Sequence, residues 1–301
     1  MIDLAILIPF FNESDIIDSF LSSLNTELEL TNLKILIVFV DDHSIDNTSS
    51  KITDFNFSEN IECNILKHVS NSGNQMAIRS GLNFLEDIQF HRLLIMDSDG
   101  EDDPKAIKLL LETNTDIVVV KRGSRNEPFL FKILYLFYKI FTKLTISKTL
   151  DFGNFSLISK KVSSQLNHSK FVHYSSSLLK HSFSIIKITF DKAQRINNTN
   201  SKISNYQFYV YHGLYSLLEH SEIIFFKVIK ILLFLISFLF SFLFYILFQK
   251  FFTTNTIPGW TSTMISASGI SIVLIINTLI IGLLIMYMSK RNQIILYDQT
   301  K

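Results

Sequence analysis

Over roughly the first 120 residues, short apolar runs alternate with stretches in which apolar residues recur every three or four positions. Leu4–Pro9 is a continuous apolar run, the mark of a strand buried on both faces. Ile16, Ile17, Phe20, Leu21, Leu24 and Leu28 follow at helical spacing, with Asn12 and Ser14 as candidate caps. Lys34–Val40 reads as a second strand, stopped by Asp41-Asp42, and Asn64–Val69 as a weaker third. Gly73 precedes a helix through Met76, Ala77, Leu82 and Leu85, and Leu93–Met96 and Ile117–Val120 are the fourth and fifth strands. Apolar strands separated by helices predict an α/β fold with a mostly parallel sheet covered on both faces.

Beyond residue 127 the pattern changes. In 128–144, Lys132, Lys139 and Lys143 share one helical stripe, while Phe129, Phe131, Ile133, Leu134, Phe137, Tyr138, Ile140 and Phe141 fill a wide apolar arc. Such a helix suits a membrane interface or, alternatively, the flank of the domain. Tyr206–Tyr215 is a second interfacial candidate. Ile231–Phe248 and Met264–Met288 are uncharged and long enough to cross a bilayer, and they are apolar all round rather than on one face. Their connection, Gln249–Thr263, holds Pro258-Gly259-Trp260, with Trp260 suited to an interface. Lys227 and Lys230 precede the first span and Lys290 and Arg291 follow the second, against Lys250 alone between them. The positive-inside rule then puts both ends of this hairpin in the cytoplasm. The expected organisation is a catalytic domain over 1–205, a juxtamembrane segment over 206–230, a multi-pass hairpin over 231–288 and a cytoplasmic tail over 289–301.

Composition sharpens this picture. The 301 residues carry a net charge of +1, so no electrostatic case for nucleic acid arises. Hydrophobic residues make up 48% of the chain and Phe numbers 28, and much of that surplus lies in the second half. Met1-Ile2-Asp3 lacks the basic segment of a secretory signal, consistent with a cytoplasmic N-terminal domain. The single cysteine, Cys63, excludes an intramolecular disulfide and reads as a small buried hydrophobe.

The chemistry concentrates in loops at the carboxyl ends of the strands, where an open parallel sheet binds ligands. After the fourth strand comes Asp97-Ser98-Asp99-Gly100-Glu101-Asp102-Asp103-Pro104. Asp97, Asp99 and Glu101 alternate, so their carboxylates can turn toward one point, where a hard cation, Mg or Mn, would offset their repulsion beside a substrate diphosphate. The competing reading is a solvated acidic loop, with Asp103-Pro104 starting the next helix. Asp42, just past the second strand, suits either a nucleotide hydrogen bond or a helix cap. Asn71-Ser72-Gly73-Asn74 forms a turn whose N–H groups can meet a phosphate at a helix start. His43 reads as a loop residue.

Taken in order, IPFFNE at 8–13, VDDHSIDNT at 40–48, NSGNQMAIRSGL at 71–82, MDSDGEDDP at 96–104, KRGSR at 121–125, GNFSLIS at 153–159, and Arg195 with Ser201-Lys202 resemble the motifs of family-2 glycosyltransferases of the polyprenyl-phosphate type. The hairpin after Pro258-Gly259-Trp260 resembles that of their bacterial members. The resemblance implies a GT-A (Rossmann-like) fold that binds a nucleoside diphosphate-sugar. Pro9, Glu13, Asp42 and Gly73 would line the nucleotide with Asp97, and Asp97, Asp99 and Glu101 would hold the metal. Arg122, Arg125 and Arg195 would meet the lipid phosphate, guanidinium forks being suited to phosphate oxygens. Asp99, Arg122, Arg125 and the residue at 154 would form the catalytic set. The chain departs from the family pattern at His43, where a Gly is usual, and at Asn154 and Ser156, where a carboxylate and a basic residue are frequent.

The implied activity is a metal-dependent, inverting transfer of one sugar from a nucleotide-sugar to a polyprenyl phosphate at the cytoplasmic face of a membrane. The alternatives are transfer to a hydroxyl of a lipid-linked glycan, or an inert nucleotide-sugar-binding membrane subunit. A homo-oligomer is compatible with each of these.

Overall fold

The computed structural model describes residues 1–121, 150–180, 183–190, 213–253, 259–291 and 298–300, with a few single positions between 136 and 146. Two compact units emerge, one holding most of residues 1–219 and the last residues of the chain, the other holding 220–293.

The first unit is a mixed, mostly parallel sheet. Its strands are β1 (Ile2–Phe10), β2 (Ile35–Asp41), β3 (Ile61–Lys67), β4 (Phe90–Ile95), β5 (Ile117–Lys121), β6 (Phe152–Ser159), β7 (Ile185–Thr189) and β8 (Asp298–Thr300), in the spatial order β7-β5-β6-β4-β1-β2-β3-β8. The β4-β1-β2-β3 block is parallel. β6 is wedged antiparallel between β4 and β5.

Alternation along β1 shows why both faces are covered. Leu4, Ile6 and Ile8 point into one apolar cluster with Ile17, Phe20, Leu21, Leu24 and Leu28 of α1 (Ile17–Glu29) and Ile107 and Leu110 of α4 (Ala106–Glu112). Ala5 and Leu7 point into the other, with Ala77, Ile78 and Leu82 of α3 (Asn74–Phe84) and Val162 and Leu166 of α5 (Lys160–Ser169). A continuous apolar run is what such two-sided burial requires. On the second face α3 lies very close to the sheet. A Cβ at Gly81 would come within 2.1 Å of Leu7 Cδ1, so any larger residue at that crossing would force the buried Leu7 side chain to move.

Several sequence expectations need correction. β3 runs three residues earlier at its start than the expected Asn64–Val69, and Cys63 on it is exposed rather than buried. β3 borders the short strand β8, so its side chains alternate against a thinly covered face and carry a weak apolar signal. Neither Asn12 nor Ser14 caps α1, because both are used across the neighbouring loop: Asn12 Oδ1 accepts from Ile45 N at 2.9 Å and Ser14 N donates to Asp46 Oδ2 at 3.1 Å. The regular turns of α4 start at Ala106, and Asp103-Pro104 lead into them as expected, with Asp103 Oδ1 accepting from Lys105 N at 3.0 Å. Asp102 is buried rather than a solvated loop residue.

The second unit consists of two long helices, α7 (Ser221–Phe252) and α8 (Trp260–Arg291). Ser221–Phe252 and Trp260–Ile285 have mean hydropathies of 2.8 and 2.5, with only 6% of each apolar window buried. Both are long and apolar enough to cross a membrane. They pack on one another at Gly282, where a Cβ would come within 2.8 Å of the Phe225 ring.

Candidate active site

Three loops meet above the carboxyl ends of β1, β2 and β4. The first turns sharply after Phe10, with Asn12 at a φ of 53°. Its N–H groups are tied to the loop after β2: Asn12 N donates to Ser44 Oγ at 3.0 Å and Glu13 N to Thr48 Oγ1 at 2.9 Å. Asp46 knits the two together. Burial pushes its carboxyl up, but hydrogen bonds from Thr48 and Ser14 outweigh that and hold it below its ordinary value.

Asp42 is only 3% exposed and serves as a hub. Oδ1 accepts from His68 Nδ1 and from Ser72 N, both at 2.8 Å, and Oδ2 accepts from Gly73 N at 2.7 Å. The far nitrogen of His68 meets Ser80 Oγ at 2.8 Å, and because the Asp42 carboxylate only accepts, Nδ1 is the donor in the bond between them. The N–H groups of Ser72 and Gly73 are therefore engaged by Asp42. Gly73 adopts a φ of +88°, a left-handed conformation that disfavours any side chain. Asp42 so pins the turn that launches α3 and delivers Asn74.

The acidic loop after β4 is closed by its own hydrogen bonds. Asp97 N donates to Asp102 Oδ2 at 2.9 Å, Glu101 N to Asp99 Oδ1 at 2.9 Å, and Ser98 Oγ to Pro9 O at 3.2 Å. Gly100 takes a φ of +77° and allows the reversal. Two amides address the Asp97 carboxylate: Asn74 Nδ2 reaches Oδ1 at 3.0 Å, and Asn154 Nδ2 reaches both oxygens at 3.3 Å. Asn154 arrives there through the antiparallel β4–β6 register, in which Ile95 stands opposite Ser156, two positions from each residue.

Asp97, Asp99, Glu101, Asp102 and Asn154 line a single pocket. Among the described residues no three side chains already converge as a closed metal cage. The donor set still fits Mg or Mn, which take carboxylate oxygens and accept one or two of them with the rest of the shell supplied by substrate phosphates and water.

Ser156 forms a buried hydroxyl pair, meeting Tyr174 Oη at 2.7 Å and donating to Asn154 O at 2.8 Å. Burial pushes the Tyr174 phenol up, with the Ser156 hydrogen bond opposing. Asp151 is engaged elsewhere: its Oδ1 lies 2.5 Å from Lys187 Nζ on β7. His43 stays peripheral, its Nδ1 3.4 Å from His68 O. Arg122, Arg125, Arg195 and most of 128–144 and 206–215 lie outside the described residues. Sequence reasoning did not single out His68, Ser80, Tyr174 or Ser175 as site residues. Asn74 and Ser80 lay within a quoted motif, but nothing in the one-dimensional pattern marked His68, Tyr174 or Ser175.

The sheet order, the helices on both faces and the acidic loop after β4 define a GT-A-type α/β domain. The fold is similar to that of mannosyl-3-phosphoglycerate synthase from Rubrobacter xylanophilus, with a TM-score of 0.51 at 11% identity, covering 73% of each chain. The chain belongs to glycosyl transferase family 2, whose sequence profile matches residues 5–175. It is similar to an uncharacterized glycosyltransferase of Synechocystis sp., 28% identical over 167 residues covering 54% of this chain and 51% of that protein. It is likewise similar to the bactoprenol glucosyl transferase of Shigella phage SfV, 28% identical over 165 residues covering 53% of this chain and 52% of that protein. The chain thus spans about half the length of these curated relatives.

Proposed function

We propose that the protein transfers one sugar from a nucleoside diphosphate-sugar to a polyprenyl phosphate at the cytoplasmic face of a membrane, with inversion at the anomeric carbon. The observation that carries this reading is the Asp97–Asp99–Glu101 loop, which lines one pocket together with Asn154 at the carboxyl end of β4. Family membership and the similarity to a bactoprenol glucosyl transferase support the donor and acceptor classes. The two long apolar helices support a membrane anchor.

In this scheme Pro9, Glu13 and Asp42 frame the nucleotide, Asp42 acting through the Ser72-Gly73 turn that it holds. Asp97, Asp99 and Glu101 hold Mg or Mn. When bound, the cation offsets charge on the departing diphosphate. Asn74 and Asn154 fix the Asp97 carboxylate by its oxygens. An amide is no general base at neutral pH, and the acceptor does not require one: a phosphate monoester has a second pKa of about 6 and is already largely dianionic. What it needs is cations, and Arg122, Arg125 and Arg195 fill that role by the motifs in which they stand. A hydroxyl acceptor would need a base, and the nearest in sequence, Asp151, is already paired with Lys187. Donor, acceptor and linkage are tested together by supplying membranes that contain the protein with a panel of nucleotide-sugars and undecaprenyl phosphate and weighing the lipid product.

A further inference from the structure

A short serine-rich helix, α6 (Tyr174–Leu178), touches the candidate active site on one side and the segment leading into the first long apolar helix on the other. Toward the site, Ser175 Oγ donates to Asn154 Oδ1 at 3.0 Å. That bond fixes which way the Asn154 amide faces, so its Nδ2 is the end presented to Asp97. Tyr174 N is held by Gln75 Oε1 at 2.6 Å and the Tyr174 hydroxyl by Ser156, so α6 is tied to α3 and to β6.

Toward the membrane segment, Ser176 Oγ and Ser216 Oγ are 2.6 Å apart, both hydroxyls buried. Three residues on, Glu219 is only 4% exposed and stands two positions before α7. Its carboxylate accepts from the N–H groups of Val172 and His173 and pairs with Lys180 Nζ at 2.6 Å. Arg79, buried at 5% exposure, adds a second positive charge nearby; its burial lowers the guanidinium pKa and Glu219 opposes that shift. Nη2 of Arg79 has no hydrogen-bond partner among the described residues. Glu219 is therefore a buried anion around which the buried Arg79, the exposed Lys180 and two backbone N–H groups are arranged. Breaking such a pair on one side leaves uncompensated buried charge, so this contact is held or released as a unit.

We propose that α6 couples the segment leading into the first apolar helix to Asp97, with Glu219 and Ser175 as positioning residues. The path runs from Glu219 and Ser216 through α6 to Asn154 and on to the Asp97 carboxylate. A transferase whose acceptor sits in the bilayer gains from a donor site that is fully ordered only while the segment at 216–219 is held on α6. The inference rests on the reading of Asp97 as part of the donor site.

Hydrogen exchange read by mass spectrometry on the full chain in lipid nanodiscs tests this without substrate. The reporters are the N–H groups of Asp97 and Glu101, both bonded within the acidic loop. Ser175→Ala and Glu219→Gln should each speed exchange over 96–103 about fivefold, the equivalent of one net hydrogen bond. Peptides from β2 and β3 should keep the wild-type rate, and the double variant should add little beyond the larger single effect. Ser175→Thr, which keeps the hydroxyl, should restore protection. Should Glu219→Gln fail to fold, Ser216→Ala asks the same question with a milder change. Unmoved exchange in the acidic loop, or equal loosening of β2 and β3, would overturn the coupling. A failed transfer assay would count against the proposed function and leave this readout standing.

Discussion

A carboxylate placed after a buried strand does chemistry only if its neighbours aim it, and Asp97 is aimed by Asn74 and Asn154. At this scale the metal assignment is testable directly. Chelation should abolish transfer and added Mg or Mn restore it, and Asp99→Ala should cost on the order of a hundredfold or more, since even outer-shell partners of bound metals cost up to about that much. Far-ultraviolet circular dichroism should show Asp99→Ala folded. The acceptor assignment separates two other residues. Arg125→Ala should weaken use of polyprenyl phosphate by roughly ten- to a hundredfold, the span of a charge-assisted hydrogen bond, as seen in KM for the lipid. Asp151→Asn should leave turnover nearly unchanged, because that carboxylate is paired with Lys187; the reverse pattern would favour a hydroxyl acceptor. Asp46 makes a prediction about pH. Its folded-state pKa is depressed below 3.8, so its contribution to stability is full above that value and is lost as pH falls through the lower folded-state value. Asp46→Asn should lower stability at neutral pH and flatten the acid limb of an unfolding-against-pH curve.

Among elements, the crossing of α3 over β1 is a tight constraint in the sheet domain. Gly81→Ala would drive a methyl into Leu7 and should cost about 1–3 kcal/mol by chemical denaturation. The stretches buried on both faces, in β1, β2, β5 and the Leu93–Ile95 end of β4, were legible in the sequence because unbroken apolar runs leave few other readings; the start of β4 at Phe90 was not, because His91 and Arg92 interrupt the run. β6 was not read as a strand, although its motif was quoted. Its place between β4 and β5 is a matter of topology, and local pattern carries no information about an antiparallel insertion. The consequence for the site is direct. Asn154 was named from its motif, but its hydrogen bond to a carboxylate 57 positions earlier in the chain could be seen only once β4 and β6 were paired. Asp42 shows a different case: its place past a strand suggested a nucleotide contact or a helix cap, while its three protein donors come from His68, Ser72 and Gly73, which only the fold brings near. Helix starts misled for a related reason, since Asn12 and Ser14 spend their polar groups across loops rather than on α1.

For the whole molecule, the division between a sheet unit and a two-helix unit sets what each can do alone. Removing the chain from about Lys227 onward should leave nucleotide binding by the sheet domain largely intact, while transfer to a long-chain lipid falls much further, as equilibrium binding and lipid assays on the same preparation would show. All described strands except the three-residue β8 precede that cut. Equal lipid glycosylation by the shortened chain would make the apolar helices dispensable. The central claim is the identity of the product, and mass spectrometry of the lipid formed from undecaprenyl phosphate and a nucleotide-sugar panel measures it. The expected result is a polyprenyl phosphate enlarged by one sugar, formed only in the presence of a divalent cation. A sugar found on free polyprenol or on a glycan hydroxyl, with the polyprenyl phosphate unconsumed, would contradict it.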